Sequence, residues 1–227
     1  DLYLKYEADK TIPKKTVPAQ DLFGDLLKER AETGRIYIMN LDHCNSHSSF
    51  KDKVSMSNLC QEITLPTTPI QDIHDDQGEI ALCILSAVNV GGLNDLSELE
   101  NICDLSVRAL EQIIDYQDYP VKAAEVSTKK RRSLGIGYIG LAHYIAKHGV
   151  KYSDPKAWEL VDRLSEAFQY NLLRASCNIA MEKGKCEGFE RTKYADGLLP
   201  IDHYKKEVDE IVPHKQRMAW ESLRKDI

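Results

Sequence analysis

The residues with the clearest chemical potential lie at positions 57–62, which read SNLCQE. In an extended chain alternate side chains point the same way, so we expect Asn58, Cys60 and Glu62 to share one face. That face would combine a reactive sulfur, a hydrogen-bonding group for substrate hydroxyls and a proton acceptor. By spacing alone, a buried structural cysteine beside two solvated polar residues is the simpler interpretation.

A second group of possible ligands, His43, Cys44 and His47, follows soon after a short apolar stretch. Imidazole and thiolate are good zinc ligands, but a structural site needs a fourth ligand at regular spacing, and the sequence contains no CxxC pair. The pattern therefore favours polar loop residues. A zinc-binding structural domain stays as an alternative that a stoichiometric metal content would support.

Residues 135–140 read GIGYIG and formally match the dinucleotide-binding pattern GxGxxG. The preceding KKRRSL is a poor buried strand, and no complete βαβ unit with a ribose-binding acid is evident. The glycines instead favour tight packing at a turn from a strand to a helix.

Composition limits the classes of protein to consider. The 227 residues are 42% hydrophobic, enough for a real core, and the longest apolar stretches fall short of the roughly 20 residues that cross a bilayer. A net charge of −6 argues against a nucleic-acid surface, and the basic run at 129–132 is typical of a solvated loop, although a phosphate contact stays open.

Six scattered cysteines without a signal peptide indicate a cytoplasmic protein and no secreted disulfide scaffold. A first residue that is not Met, and an end within a charged, helix-like segment, indicate a piece of a longer chain.

Hydrophobic periodicity predicts the elements that would position these residues. We expect helices at 21–32, with Gly34 as the stop, at about 95–116, and from Pro155 to Gly184 with Asp154 as the N-cap. Strands are predicted at 35–40, leading into a polar loop at 42–49, and at 79–90. Strands alternating with helices favour an α/β class with a parallel sheet, and Cys103 and Cys177 fall in apolar helical patterns typical of a core, whereas Cys186 could be exposed.

Several long stretches, taken in order, resemble one family. The segment MSNLCQEITLPT is similar to the active-site finger loop of class I ribonucleotide reductase large subunits, and the similarity extends along nearly the whole chain. The supporting stretches are TGRIYIMNLDHCNSHSSF, GEIALCILSAVNVGGLND, RALEQIIDYQDYPVKAA, RRSLGIGYIGLAHYIAKHG and YADGLLPIDHYK. The resemblance implies a ten-stranded α/β barrel of two half-barrels, whose central finger loop carries the radical cysteine.

The family's chemistry carries over to four matching positions. The resemblance implies that Cys60, as a thiyl radical, takes the 3′ hydrogen of a ribonucleotide, that Glu62 is the base toward the 3′ hydroxyl, and that Asn58 hydrogen-bonds the ribose. Cys83 matches one of the two cysteines that reduce the 2′ carbon and end as a disulfide.

The resemblance also implies partners. Residues 1–227 correspond to a partial catalytic barrel domain, without the N-terminal effector region and the C-terminal barrel remainder. The partner of Cys83, the C-terminal relay cysteines, the paired tyrosines and the Pro-Ser-Glu-Thr-Ser phosphate segment are not found here, so the segment alone should be inactive. A metal-containing small subunit would supply the radical, thioredoxin or glutaredoxin the reducing equivalents, and this segment would bind no metal itself. A noncatalytic assembly fragment of a reductase is the alternative.

Overall fold

Helices predominate in the computed structural model, which describes residues 2–211 and 215–227. The α-helices are α1 (Leu2–Ala8), α2 (Ala19–Thr33), α3 (Leu41–His47), α4 (Glu98–Tyr116), α5 (Lys122–Arg131), α6 (Leu141–Lys147), α7 (Pro155–Lys183) and α8 (Trp220–Asp226). Two strands, β1 (Ile84–Asn89) and β2 (Leu134–Ile139), lie among them. Short 3-10 helices cover Val90–Gly92, Phe189–Arg191, Tyr194–Asp196, Pro200–Asp202 and Lys206–Glu210. The α/β class expected from the sequence is confirmed.

The chain divides into two units. The first comprises Asp1–Met39 together with Leu59–Gln61, and the second comprises Asn40–Asn58 and Glu62–Ile227. Within the first unit, α2 ends as predicted, because Gly34 adopts a left-handed conformation at φ 66° and its N–H donates to the carbonyl of Arg30. The strand predicted at 35–40 is wrong, since this stretch pairs with no strand in the described residues. Apolar and β-branched residues favour a strand only where a neighbouring strand takes their backbone hydrogen bonds.

The sheet of the second unit is parallel, as predicted. Strands β1 and β2 pair in register from Ile84 opposite Leu134 to Asn89 opposite Ile139. The strand predicted at 79–90 is too long, because the backbone of Glu79 instead bonds with that of Thr68 and the N–H of Ile80 donates to Ala123. The polar loop predicted at 42–49 is also wrong over most of its length, since α3 covers Leu41–His47.

The main core lies between β1, α4, α6 and α7. Helix α4 starts slightly later than predicted and buries one face at helical spacing, formed by Leu99, Cys103, Val107, Leu110 and Ile114. The thiol of Cys103 lies 3.9 Å from the carbonyl oxygen of Phe168 on α7. Cys103 and Cys177 are both buried, which confirms the prediction that they are core residues.

Helix α7 is the longest helix and has the predicted ends. Pro155 is its first residue and Gly184 follows its last, but Asp154 does not cap it with its side chain. The Asp154 carboxylate accepts a hydrogen bond from the N–H of Lys151 at 3.1 Å instead. Among the helices that the structure describes, none is long and apolar enough to cross a membrane.

The basic run at 129–132 is not a solvated loop, which corrects the prediction. It ends α5 and enters a set of ion pairs in which Lys130 and Arg131 each contact the carboxylate of buried Glu79 at 2.5 Å. Arg131 also contacts Asp52 at 3.1 Å, and Asp52 is paired with Arg191. We call Asp52, Glu79, Lys130 and Arg131 the buried ion cluster; it joins α5 to two distant segments of the second unit, and Asp52 links it to the exposed Arg191.

Gly140, at the turn from β2 to α6, is predicted to tolerate no side chain. Its φ is +79°, and an added Cβ would lie 2.5 Å from Oδ1 of Asn89 and 3.1 Å from the N of Gly91. We expect Gly140→Ala to destabilise the second unit by about 1–3 kcal/mol, measured by thermal unfolding. Gly149→Ala is the matched control, because Gly149 shares the left-handed backbone but has open space around it. Equal losses in the two variants would show that the close approach to β1 is unimportant.

Candidate active site

The predicted site residues lie around a tight turn. Asn58 and Glu62 flank this turn, which Leu59, Cys60 and Gln61 form, and Gln61 has a left-handed φ of 66°. The Asn58 amide donates to Oε1 of Glu62 at 2.6 Å, and its Oδ1 accepts from the N–H of Ile63 at 3.0 Å. The prediction of an extended chain with alternating side chains is therefore wrong. Asparagine side chains compete with strand pairing by bonding the nearby backbone, and here that bonding folds the chain back.

Helix α3 holds the chain that leads into this turn. Asn45 on α3 donates to the carbonyl of Val54 at 2.9 Å and accepts from the Val54 N–H at 2.8 Å. Val54 is fully buried, so the segment is fixed shortly before Asn58. The hydrogen bonds of Asn45 and the burial of Val54 restrict the chain before the turn. Asn58 and Glu62 themselves are exposed.

Cys60 is exposed to solvent within the turn. The interpretation of Cys60 as a buried structural cysteine is therefore wrong. Structural free cysteines are among the most buried residues of proteins, as Cys103 and Cys177 illustrate here. An exposed thiol on a tight turn is instead available to react with a bound molecule.

Cys83 lies directly before β1 and is partly buried. Its Sγ is 3.8 Å from the carbonyl oxygen of Ile84. Burial raises the pKa of the Cys83 thiol, and the negative charge of Glu62 raises it further. Cys83 therefore keeps its proton at neutral pH, and Glu62 is near enough to act on it electrostatically.

This coupling predicts a pH effect. In Glu62→Gln the negative charge is lost, so we expect the pKa of Cys83 to fall toward its ordinary value and its alkylation by iodoacetamide to begin at lower pH. The rate at Cys83 is followed by mass spectrometry across a pH series. Glu100→Gln, at an exposed position in the first turn of α4, is the control and should leave the profile unchanged. An unshifted profile in Glu62→Gln would contradict the coupling.

Comparison with known proteins decides the family. A sequence model described as "Ribonucleotide reductase, barrel domain" matches residues 1–227. The chain belongs to this family. The parallel pair β1 and β2, flanked by helices, agrees with a barrel domain of mixed α/β class.

Three relatives illustrate the similarity of this chain to known proteins. It is 56% identical over 230 residues to the ribonucleoside-diphosphate reductase subunit alpha of Haemophilus influenzae. It is 52% identical over 229 residues to the ribonucleoside-diphosphate reductase 1 subunit alpha of Escherichia coli strain K12, and 39% identical over 232 residues to the subunit alpha of Enterobacteria phage T4. Each match covers the whole of this chain, which spans 30% of the length of each relative.

The GxGxxG motif at residues 135–140 has a structural explanation. Its first two glycines lie inside β2 and its last lies at the turn into α6, whereas a dinucleotide fingerprint follows its strand. The dinucleotide reading is thus excluded by geometry, and the expected strand-to-helix turn is present at Gly140. Sequence reasoning missed that Gly135 adjoins Cys83, because only the register of β1 and β2 brings them together.

The alternative zinc site gains no support from the structure. His43, Cys44 and His47 all lie on α3, where His47 Nδ1 is 3.1 Å from the carbonyl oxygen of His43. No group of three or more His, Cys, Asp or Glu side chains within residues 2–211 and 215–227 is arranged to hold a metal ion. Cys186, which could have been exposed, is partly buried.

Two cavities in the second unit lie apart from the predicted site residues. One, of about 560 Å³, is lined mainly by apolar residues of α6, α7 and the segments that follow α7. The other, of about 310 Å³, lies beside Tyr144, His148 and Arg163. Neither includes Asn58, Glu62 or Cys83, so cavity size does not locate the chemistry.

Proposed function

We propose that this segment is part of the ten-stranded barrel of a ribonucleoside-diphosphate reductase, and that the turn at Cys60 is the finger loop carrying its radical cysteine. The observation that carries the proposal is the 2.6 Å hydrogen bond between Asn58 and Glu62, which closes a turn with an exposed thiol. Membership of the reductase barrel family supports it. The proposed substrates are ribonucleoside diphosphates, the class in the relatives' names.

In the proposed first step, the Cys60 sulfur radical takes the hydrogen atom from the 3′ carbon of the ribose. An S–H bond forms, a C–H bond breaks, and the radical moves to the substrate. Glu62 accepts the proton of the 3′ hydroxyl. Its Oε2 atom is suited to this role because no described residue of the second unit donates a hydrogen bond to it. Asn58 has a carboxamide that orients the ribose hydroxyls.

In the proposed second step, Cys83 and a second cysteine of the complete subunit reduce the 2′ carbon. The 2′ hydroxyl leaves as water, the two thiols give up two electrons and two hydrogens, and a disulfide remains. The raised pKa of Cys83 supports this role, because a thiol that keeps its proton can supply it to the leaving hydroxyl. Cys60 then recovers its radical by returning hydrogen to the 3′ carbon, and Glu62 returns its proton to the 3′ oxygen.

The cycle requires two partners outside this segment. A metal-containing small subunit generates the radical that reaches Cys60, and thioredoxin or glutaredoxin reduces the disulfide after each turnover. The rest of the large subunit completes the barrel and the second cysteine. No step of the proposal places a metal on the described residues.

The test is deoxyribonucleotide formation by a complete large subunit carrying these residues. Ribonucleoside diphosphates and triphosphates are supplied in parallel, with the small subunit and a thioredoxin system present or omitted. We expect product from diphosphates only when both partners are present. Product without the small subunit, or from triphosphates alone, would contradict the proposed class of enzyme.

A further inference from the structure

Gly135 on β2 has no side chain at a position that lies beside the thiol of Cys83. In the register of the sheet Gly135 is opposite Leu85, and Cys83 lies two residues before Leu85. A Cβ added at Gly135 would meet Cδ2 of Leu85 as its nearest atom and would lie 2.9 Å from Sγ of Cys83. Glycine inside a strand often marks a close approach of another group, and here that group includes the sulfur.

The backbone does not explain this glycine. Gly135 is not among the residues with positive φ, so its conformation is open to any amino acid. Gly137, two residues farther along β2, has no atom within 4 Å of its added Cβ. The two glycines differ only in what lies beside the strand. The sulfur of Cys83 and the end of the Leu85 side chain lie beside Gly135, and nothing lies beside Gly137.

The two side chains next to Gly135, Leu85 and Cys83, differ in their freedom to move. Leu85 is 58% exposed, so its side chain can turn away into solvent. The Cys83 side chain is short and partly buried, and its sulfur can move only by rotating about one bond. A methyl group at Gly135 would therefore displace the thiol from its position.

We propose that Gly135 is a positioning residue for the Cys83 thiol, and that the missing side chain keeps the sulfur where it can reduce substrate and form a disulfide. This inference rests on the proposed role of Cys83. Disulfide formation needs sulfurs about 2.05 Å apart in a restricted geometry, so a displaced sulfur is strongly disfavoured. Gly135 itself touches neither substrate nor radical.

The experiment compares Gly135→Ala with Gly137→Ala in the complete reductase, with small subunit and thioredoxin. We expect Gly135→Ala to lower turnover at least about tenfold, because displacement of a reacting group by about 1 Å can cost a hundredfold. Gly135→Ala should also change the rate at which iodoacetamide alkylates Cys83. A general loss of packing elsewhere in the protein would not act selectively on this one thiol. Gly137→Ala should match the unchanged protein in both measurements. Equal behaviour of the two variants overturns the proposal.

A second pair of variants identifies the contact that matters. Gly135→Ala combined with Leu85→Ala removes the leucine contact and leaves the sulfur contact, so turnover should stay low. Recovery of turnover in this combination overturns the proposal in favour of strand packing. If Gly135→Ala lowers the yield of folded protein, recovery of that yield by Cys83→Ala supports the proposal, and recovery by Leu85→Ala contradicts it.

Cys83→Ser in the same assay separates this inference from the proposed function. Turnover that survives Cys83→Ser would refute the reducing role of Cys83. Turnover that is lost in Cys83→Ser but unaffected in Gly135→Ala would leave that role intact and refute only the role of Gly135.

Discussion

Cys60→Ser is expected to reduce deoxyribonucleotide formation by the complete reductase to below about a thousandth of its original rate. That loss corresponds to about 4 kcal/mol in activation free energy. Serine has nearly the same shape, but its O–H bond is far stronger, so oxygen is a much poorer radical carrier than sulfur. Product is measured by chromatography with the small subunit and thioredoxin present.

The control for Cys60→Ser is Cys186→Ser, which changes a partly buried cysteine that the proposal gives no role. It should retain most of the activity. Substantial turnover by Cys60→Ser would refute the radical assignment. If neither variant nor the unchanged protein forms product in a folded, assembled complex, the noncatalytic assembly fragment becomes the better account.

Glu79→Gln is expected to have the largest effect on stability among the variants considered. Glu79 is 4% exposed and pairs with Lys130 and with Arg131, whose side chain is 5% exposed. Glutamine has nearly the same volume but leaves both cations without their shared counter-ion. Removing one partner of a buried pair costs about 3–5 kcal/mol, so α5 should open more often by a factor of about 150 to 5,000. Hydrogen exchange of the Lys122–Arg131 amides, followed by mass spectrometry, measures this opening.

An exposed ion pair provides the control for Glu79→Gln. Glu190 pairs with Lys185, and both side chains are more than half exposed, so Glu190→Gln should leave exchange in α5 nearly unchanged. Unchanged exchange in Glu79→Gln itself would show that the buried ion cluster does not hold α5 in place.

The buried ion cluster also determines how the stability of α5 changes with pH. Burial alone would raise the pKa of Glu79, but hydrogen bonds from Lys130 and Arg131 outweigh it and lower the pKa. Arg191 is the main cause of the lowered pKa of Asp52, which falls from 3.8 to about 2. Carboxylates with lowered pKa values stabilise the folded state above their ordinary pKa, and this stabilisation is lost as the pH falls toward the folded value. The fraction of time that α5 is open, obtained by dividing the observed exchange rate by the intrinsic amide rate at each pH, should therefore rise in acid, between about pH 4 and pH 2 for Asp52.

Long helices were the most predictable part of the fold. Helix α4 repeats apolar residues on one face, and α7 is bounded by Pro155 and Gly184, so local pattern alone defines them. Strands were less predictable. Residues 35–40 and 84–89 are similarly apolar, yet only the second stretch has a partner strand, and pairing depends on residues far along the chain.

Among the site residues, the sequence named Asn58, Cys60, Glu62 and Cys83 through the family resemblance, and their roles stay predictions. Their arrangement was predicted wrongly from alternation, because an asparagine side chain that bonds its own backbone reverses the chain locally. The asparagine four residues before a carboxylate was the available signal for that turn. No local signal connected Glu62 with Cys83.

The sequence by itself determined the composition of the core, the long amphipathic helices and, through resemblance, the reductase family with its candidate residues. These depend on local periodicity and on short runs of matching residues. Only the tertiary structure decided that Gly135 leaves room for Cys83, that Glu79 neutralises the end of α5, and that Glu62 acts on the Cys83 thiol. Sterics and electrostatics act between atoms that are close in space, and the chain brings these atoms together from positions up to about fifty residues apart.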